Sequence, residues 1–219
     1  HFNHLCSMLD LSTNSAVNIP VIGLTGGMGS GKTTVGHIFE SLDIPRWNAD
    51  KAGHDVFRLE LSLREQVLEL FGNDLAIFHE GIHCDIDRRK LGERVFQDPD
   101  ALHALNQLVH PAVGKAFETW YIQQRHVPYI LREAAILFES QSNLGCQAVI
   151  TVSADQKLRV SRVKERDGLS QKEIEQRMEN QWTDEQRAAK ADFVVHNNSN
   201  DVLIPQVIRI HRALCSKFQ

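Results

Sequence analysis

The sequence predicts an α/β fold in which a parallel sheet is covered by helices on both faces. Short apolar runs at residues 20–25, 44–47, 128–131, 148–152 and 193–196 read as strands, and segments of helical periodicity separate them. Strands that alternate with helices pair in parallel, because each crossover carries the chain back to the same edge of the sheet. The stretch 51–127 interrupts this pattern: it is almost all helical in spacing and shows no strand-type alternation.

The elements follow in order. Pro20-Val-Ile-Gly-Leu-Thr25 ends in a glycine cluster, as a buried strand entering a tight turn does. From Lys32, the residues Val35, Ile38, Phe39 and Leu42 share one face of a helix that ends near Ser41. A second strand at 44–47 runs into Asn48-Ala49-Asp50. Within 51–127, Leu63, Val67, Leu70 and Phe71 mark one helical stripe, and Leu91, Val95 and Phe96 another. Asp98-Pro99-Asp100 starts a further helix, with proline in the first turn where its missing donor does no harm. His110-Pro111 reads as a boundary, since proline disfavours helix in the residue before it. Residues 155–167 and 170–181 are helical and arginine-rich, and a last helix covers 202–218.

With 219 residues, 42% of them hydrophobic, the chain suits one domain with insertions. A net charge of -4 argues against a general nucleic-acid or anionic-membrane binder, so any phosphate must meet local cation clusters. Cys6, Cys84, Cys146 and Cys215 lie far apart with no Cys-x-x-Cys pair, which predicts neither a zinc site nor a disulfide framework and fits a reducing cytoplasm. No apolar stretch approaches the roughly 20 residues that span a bilayer. Residues 1–19 are polar and lack the features of a secretory signal; they stand outside the domain, as a native extension, appended residues or a fragment end.

Gly26-Gly27-Met28-Gly29-Ser30-Gly31-Lys32-Thr33 matches Gly-x-x-x-x-Gly-Lys-[Ser/Thr] after a predicted strand and at the opening of a predicted helix. Glycines let consecutive N–H groups converge on phosphate oxygens, and the helix adds its positive end. Lys32 would bridge the outer phosphates of ATP, and the Thr33 hydroxyl would bind Mg²⁺. The alternative is a glycine-rich turn with an incidental Lys-Thr. No Asn-Lys-x-Asp segment is present to read guanine, and no Ser-Gly-Gly signature of a transporter ATPase. A small kinase is the simplest reading. In such kinases a carboxylate after the second strand faces the acceptor hydroxyl, and Asp50 stands there as the candidate base. Asp50 or Asn48 could equally serve to cap the next helix.

The residues also resemble one family. Gly23 through Val35 is similar to the opening of dephospho-CoA kinases, Asn48-Ala-Asp50 resembles their Asp-Ala-Asp, and Asp87-Arg88-Arg89-Lys90-Leu91 with Val95-Phe96 resembles their Asp-Arg-x-x-Leu then Val-Phe. His110-Pro111, Leu137-Phe138-Glu139, Arg162, Arg166-Asp167, Gln181, Ala191-Asp192 and Asn197 follow in the family's order, over residues 21–198. The resemblance implies a P-loop nucleoside-triphosphate hydrolase-like core at 20–50 and 128–219, a helical CoA-binding region at about 51–127 and a mobile lid at about 159–187, all within a domain over 20–219. It implies phosphoryl transfer from ATP to the ribose 3′-hydroxyl of dephospho-CoA, with Asp50 and Lys32 catalytic. Gly27, Met28, Gly29, Ser30, Gly31, Lys32, Thr33, Thr34, Arg162, Arg166 and Asn197 would hold the nucleotide, Thr33 the Mg²⁺, and Asp50, Arg88 and His110 the acceptor.

Arginine's planar fork suits phosphate oxygens, although Glu165 and Asp167 offer Arg162 and Arg166 ordinary surface partners. His110 reads as structural or substrate-lining. His79 and His83, which flank Gly81, read as turn histidines rather than metal ligands, and Trp47, Trp120 and Trp182 as packing residues. Two positions depart from the family's pattern: Asn48 replaces an aspartate and Ala135 a proline, with Glu133 nearby as a further carboxylate toward the metal. Another small-molecule or nucleotide kinase, and a silent nucleotide-binding module, stand as alternatives. The expected state is a monomer or weak homo-oligomer without nucleic-acid or membrane partners.

Overall fold

The computed structural model of the chain describes residues 18–95 and 98–218. Most of the N-terminal extension, Cys6 and Phe96 lie outside the described residues. The central sheet holds β1 (Val21–Gly26), β2 (Arg46–Asn48), β5 (Ile130–Glu133), β6 (Ala148–Ser153) and β7 (Phe193–His196), in the order β2-β5-β1-β6-β7 with every pair parallel. All six residues of β1 are buried, as befits a central strand covered on both faces. The chain turns to opposite sides of β1 in its two halves, so the crevice for ligands opens at the carboxyl end of β1.

Helices α1 (Lys32–Glu40) and α9 (Leu203–Phe218) cover one face. Val35 and Phe39 of α1 and Val207, Ile210 and Leu214 of α9 meet Ile22, Leu24, Leu131 and Ile150 of the sheet in one core. Their three- and four-residue spacing sets one stripe of each helix toward the strands.

A second core forms from the segment after β2. Here α2 (Ala49–Leu59), α3 (Leu61–Phe71), α4 (Arg88–Val95) and α5 (Pro99–Tyr121) bury Val56, Phe57, Leu63, Val67, Leu75, Leu91 and Val95 together. The expectation of an all-helical segment fails at β3 (Ala76–His79) and β4 (Ile82–Ile86), which pair as an antiparallel hairpin. Its two-residue turn holds Glu80 at φ 51° and Gly81 at φ 79°, the mirror-image geometry that matches strand twist. Glu80 takes the place of the usual Asn or Asp, which removed the sequence signal, and Ile77, Phe78 and Ile82 are exposed rather than alternating into a core. His79 and His83 do flank that turn, with His83 inside β4.

The expected boundary at His110-Pro111 is also overturned: α5 continues through Pro111. Proline removes one helical hydrogen bond, but Leu105, Leu108, Val109, Ala112 and Val113 carry the apolar stripe across it, so packing on the second core outweighs the local break. The far end of α5 reaches the sheet through Phe117 and Trp120, which pack on Trp47 of β2 with ring centroids 5.8 and 5.5 Å away.

The remaining helices are α6 (Gln156–Asp167), α7 (Gln171–Glu179) and α8 (Asp184–Ala188). Side-chain oxygens of Asp155, Ser170 and Thr183 cap them in turn. Arg64, buried in α3, donates to the carbonyls of Phe57 and Arg58 at 2.9 and 2.8 Å and so satisfies the open end of α2. Arg64→Ala strands those acceptors, and we expect a loss of about 1–3 kcal/mol, read as a lower urea midpoint at unchanged slope.

Candidate active site

The glycine-rich loop leaves β1 at Gly26 and enters α1 at Lys32, as its sequence context required. Gly29 at φ 78° and Gly31 at φ 93° hold conformations that other residues rarely adopt. Space demands glycine as well: a Cβ on Gly29 would sit 2.5 Å from the Arg159 carbonyl oxygen. None of the hydrogen bonds among the described residues uses the N–H groups of Gly29, Gly31, Lys32 or Thr33. Those donors are left for an anion at the helix N-terminus.

Two residues expected to hold the nucleotide grip the loop's carbonyls. Asn197 donates from Nδ2 to the Ser30 oxygen at 2.7 Å. Arg162 donates to the Gly29 oxygen at 3.4 Å and to the Asn197 oxygen at 3.0 Å, while it also lines the cavity in front of the loop. Holding the carbonyls on one side turns the N–H groups to the other. Arg166 lines the same cavity and is clamped by Asp167, with both bonds at 2.7 Å. That carboxylate raises the Arg166 pKa, and the guanidinium holds the Asp167 carboxyl below the usual range.

The loop cavity measures about 520 Å³ and is lined by residues 27–34 with Asn48, Asp50, Glu133, Arg162, Arg166 and Gln181 among others. Glu133 ends β5 in register with Leu24 and Asn48, which puts its carboxylate at the mouth of the crevice. It is buried, accepts from the Thr33 hydroxyl at 3.4 Å and pairs with Arg46. Burial pulls the Arg46 pKa down, but hydrogen bonds to Glu40 and Glu133 outweigh it, and the net shift is upward.

Asn48, not Asp50, caps α2: its Oδ1 accepts the Lys51 N–H at 2.8 Å. That frees Asp50, in the first turn of α2 and exposed, for another task. Its Oδ2 accepts the Ala135 N–H at 3.1 Å. Proline at position 135 has no such donor. The two departures from the family pattern thus act at one place, Asn48 as the cap and Ala135 as an anchor for Asp50.

A second cavity, about 710 Å³ and mostly apolar, lies between the helical segment and β5. Phe57, Leu91, Leu102 and Val109 form its walls, and Arg88, His110 and Arg132 bring polar groups into it. Arg88 donates to the His54 oxygen at 2.6 Å and pairs with Asp85 at 3.1 Å. Arg132 was not expected from the sequence. Its guanidinium lies 5.0 Å from the Phe117 ring centroid, and it forms no ion pair among the described residues. Asp50 is the one described residue that lines both cavities.

An ion network beneath the loop also escaped sequence reasoning. Arg187 is fully buried, donates to Asp184 at 2.6 Å and lies 3.8 Å from Glu139, while Arg159 lies 3.5 Å from Asp184. Both guanidinia stand over Gly27, where a Cβ would sit 2.6 Å from Arg187 Nη2 and collide with Arg159. Glu139 was visible in its Leu-Phe-Glu run, but nothing in the local sequence marks Arg187 as different from a surface arginine.

Residues 20–202 match the dephospho-CoA kinase family model. The chain belongs to the dephospho-CoA kinase family. A dephospho-CoA kinase of Fusobacterium nucleatum is 33% identical over 184 residues, covering 84% of this chain and 92% of the relative. The dephospho-CoA kinase structure from Campylobacter jejuni superimposes with a TM-score of 0.66 at 25% identity, over 91% of this chain and 98% of that one. A Thermus thermophilus structure gives a TM-score of 0.77 at 28% identity, over 92% and 98%. The family is one of kinases that phosphorylate dephospho-CoA with ATP to give CoA, and the α/β core and glycine loop described above are the parts such a kinase needs. No described helix is long and apolar enough to cross a membrane.

Within this kinase the Ala135 anchor is separable from the fold. Ala135→Pro deletes one N–H and removes no side chain beyond a methyl group. We expect kcat to fall about 3- to 10-fold, the worth of one hydrogen bond, while KM for ATP changes little in steady-state assays.

Proposed function

We propose that the chain transfers the γ-phosphoryl group of ATP to the ribose 3′-hydroxyl of dephospho-CoA, with Asp50 as the base. The observation that carries this is the shared position of Asp50, between a cavity built for polyphosphate and a cavity with apolar walls and scattered cations. The loop N–H groups, Lys32 and the start of α1 take the triphosphate, with residues 27–34 around it. Arg162 and Arg166 face its outer phosphates, and Asn197 acts through the loop it holds. The apolar walls suit the pantetheine arm of the acceptor. Arg88, Arg132 and His110 suit its pyrophosphate, and Arg132, with no carboxylate partner among the described residues, is the strongest of them for that role.

Asp50 accepts the hydroxyl proton as the acceptor oxygen bonds to phosphorus and the bond to ADP breaks. The Ala135 N–H reaches both of its oxygens, Oδ2 at 3.1 Å and Oδ1 at 3.5 Å, which fixes the carboxylate while further lone pairs stay open to the alcohol. Thr33 and Glu133 fit Mg²⁺, a hard ion that takes one or two carboxylates and hydroxyl oxygens along with phosphates. When bound, the ion neutralises charge that develops on the phosphate oxygens. Arg46 keeps the Glu133 carboxylate oriented toward Thr33. The helical segment as acceptor region and α6 to α8 as lid belong to the same proposal, supported by the walls that each gives to a cavity. So do a reducing cytoplasm, in keeping with the unpaired Cys84, Cys146 and Cys215, and a monomeric or weakly associating state.

ADP release is to be measured with dephospho-CoA, adenosine and nucleoside monophosphates side by side, and turnover is expected with dephospho-CoA. Turnover only with another acceptor, or ATP binding without transfer, would refute the proposal. Asp50→Asn should lower kcat by about two to four orders of magnitude at unchanged ATP affinity, as for loss of a general base. Glu133→Gln should raise the Mg²⁺ concentration needed for tight ATP binding by about tenfold, read by calorimetric titration of nucleotide at stepped Mg²⁺.

A further inference from the structure

We propose that Gln181 is a positioning residue for the transferring group: a neutral donor on the lid that reads the γ-phosphate of ATP. The inference deepens the kinase reading above and rests on it.

Gln181 lies in the short connection between α7 and α8 and lines the loop cavity with Lys32, Thr33 and Asp50. Its Oε1 accepts the Met28 N–H at 2.9 Å. An amide side chain has one oxygen that accepts and one NH₂ that donates, on opposite arms of a planar group. Tying the oxygen to Met28 therefore leaves the NH₂ to point elsewhere. Among the described residues no hydrogen bond uses Nε2.

The backbone beside Gln181 is fixed from the other side. The Trp182 N–H donates to Glu139 at 2.8 Å, and the Trp182 ring stacks on Phe138 at 5.4 Å with 6° between planes. Gln181 is thus held at both ends, by the loop through its side chain and by the turn after β5 through its neighbour. Such double support gives a side chain one direction, the requirement for a group that orients a reacting atom.

Its place along the loop selects the phosphate. The N–H groups of Gly29, Gly31, Lys32 and Thr33 are free for the inner phosphates, and Met28 precedes them. A donor tethered at Met28 stands outside that cradle, where the outer phosphate sits between Lys32 and Asp50. Lys32, Arg162 and Arg166 already bring positive charge to this cavity. A neutral amide adds direction without a fourth cation, and its tether to Met28 ties the lid connection to the state of the loop.

The test compares ADP with a non-hydrolysable ATP analogue on the full chain, by calorimetry, for the parent, Gln181→Ala and Gln181→Glu. Glutamate keeps the length and an oxygen for Met28 but replaces the donor with a carboxylate oxygen. Gln181→Glu should weaken analogue binding by about tenfold or more, with ADP affinity within about twofold of the parent, since a charged oxygen facing phosphate loses the donor and adds repulsion. Gln181→Ala should shift the analogue in the same direction by about 3- to 10-fold, and kcat should fall in both variants at unchanged acceptor KM. Equal losses for ADP and analogue, no loss for either, or tighter analogue binding would each overturn the proposal; the last would make Gln181 a plug of the empty loop. The binding comparison needs no acceptor, so a failed acceptor screen and a failed role for Gln181 give different results. Should Gln181→Glu not fold, the half-buried Gln181→Ala alone decides by the same ratio.

Discussion

The site depends on a backbone that faces one way. Arg162 and Asn197 take the carbonyls of Gly29 and Ser30, and the N–H groups of Gly29, Gly31, Lys32 and Thr33 are left to the cavity. A peptide carries its donor and acceptor on opposite sides, so anchoring one aims the other. Everything an anion meets at the carboxyl end of β1 follows from that arrangement, and the positive end of α1 reinforces it. The anchors come from α6 and from the turn after β7, far away in sequence, and β6 and β7 bring both to the loop by pairing beside β1.

The acceptor side obeys a different constraint, since an apolar cavity with few polar groups must be built by helices packed on their own core. The α2 to α5 unit supplies it, and α5 joins that unit to the sheet through Phe117 and Trp120 on Trp47. Arg132 stands at this seam, over the Phe117 ring and without a carboxylate partner among the described residues. A cation half-withdrawn from water and without an ion pair among the described residues is poised for an anionic ligand, whereas Arg187 is buried between the carboxylates of Asp184 and Glu139 and serves the framework.

Asp50 links the two sides because its neighbours relieve it of structural duty. Asn48 caps α2, and the Ala135 N–H holds the Asp50 carboxylate. The two departures from the family's pattern, Asn48 and Ala135, divide the capping and anchoring across β2 and the residues after β5. Neither could be read locally: position 135 follows a different strand, and only the parallel pairing of Asn48 with Glu133 brings it beside Asp50.

The sequence by itself determined the α/β class, the glycine loop between β1 and α1, the approximate span of each sheet strand and the helical stripes. These are set by residues near one another along the chain, through spacing, glycine and proline chemistry, and capping. The hairpin at β3 and β4 and the unbroken α5 went unread, because Glu80 hides a mirror-image turn and tertiary packing carries α5 past Pro111. Nothing in the local sequence tells Arg46, Arg132, Arg159 and Arg187 apart. Only the fold decided which faces a carboxylate, which an aromatic ring and which a glycine of the loop, because charge acts through space and the parallel crossovers set residues 100 or more apart within hydrogen-bond reach, as Thr33 and Glu133 show.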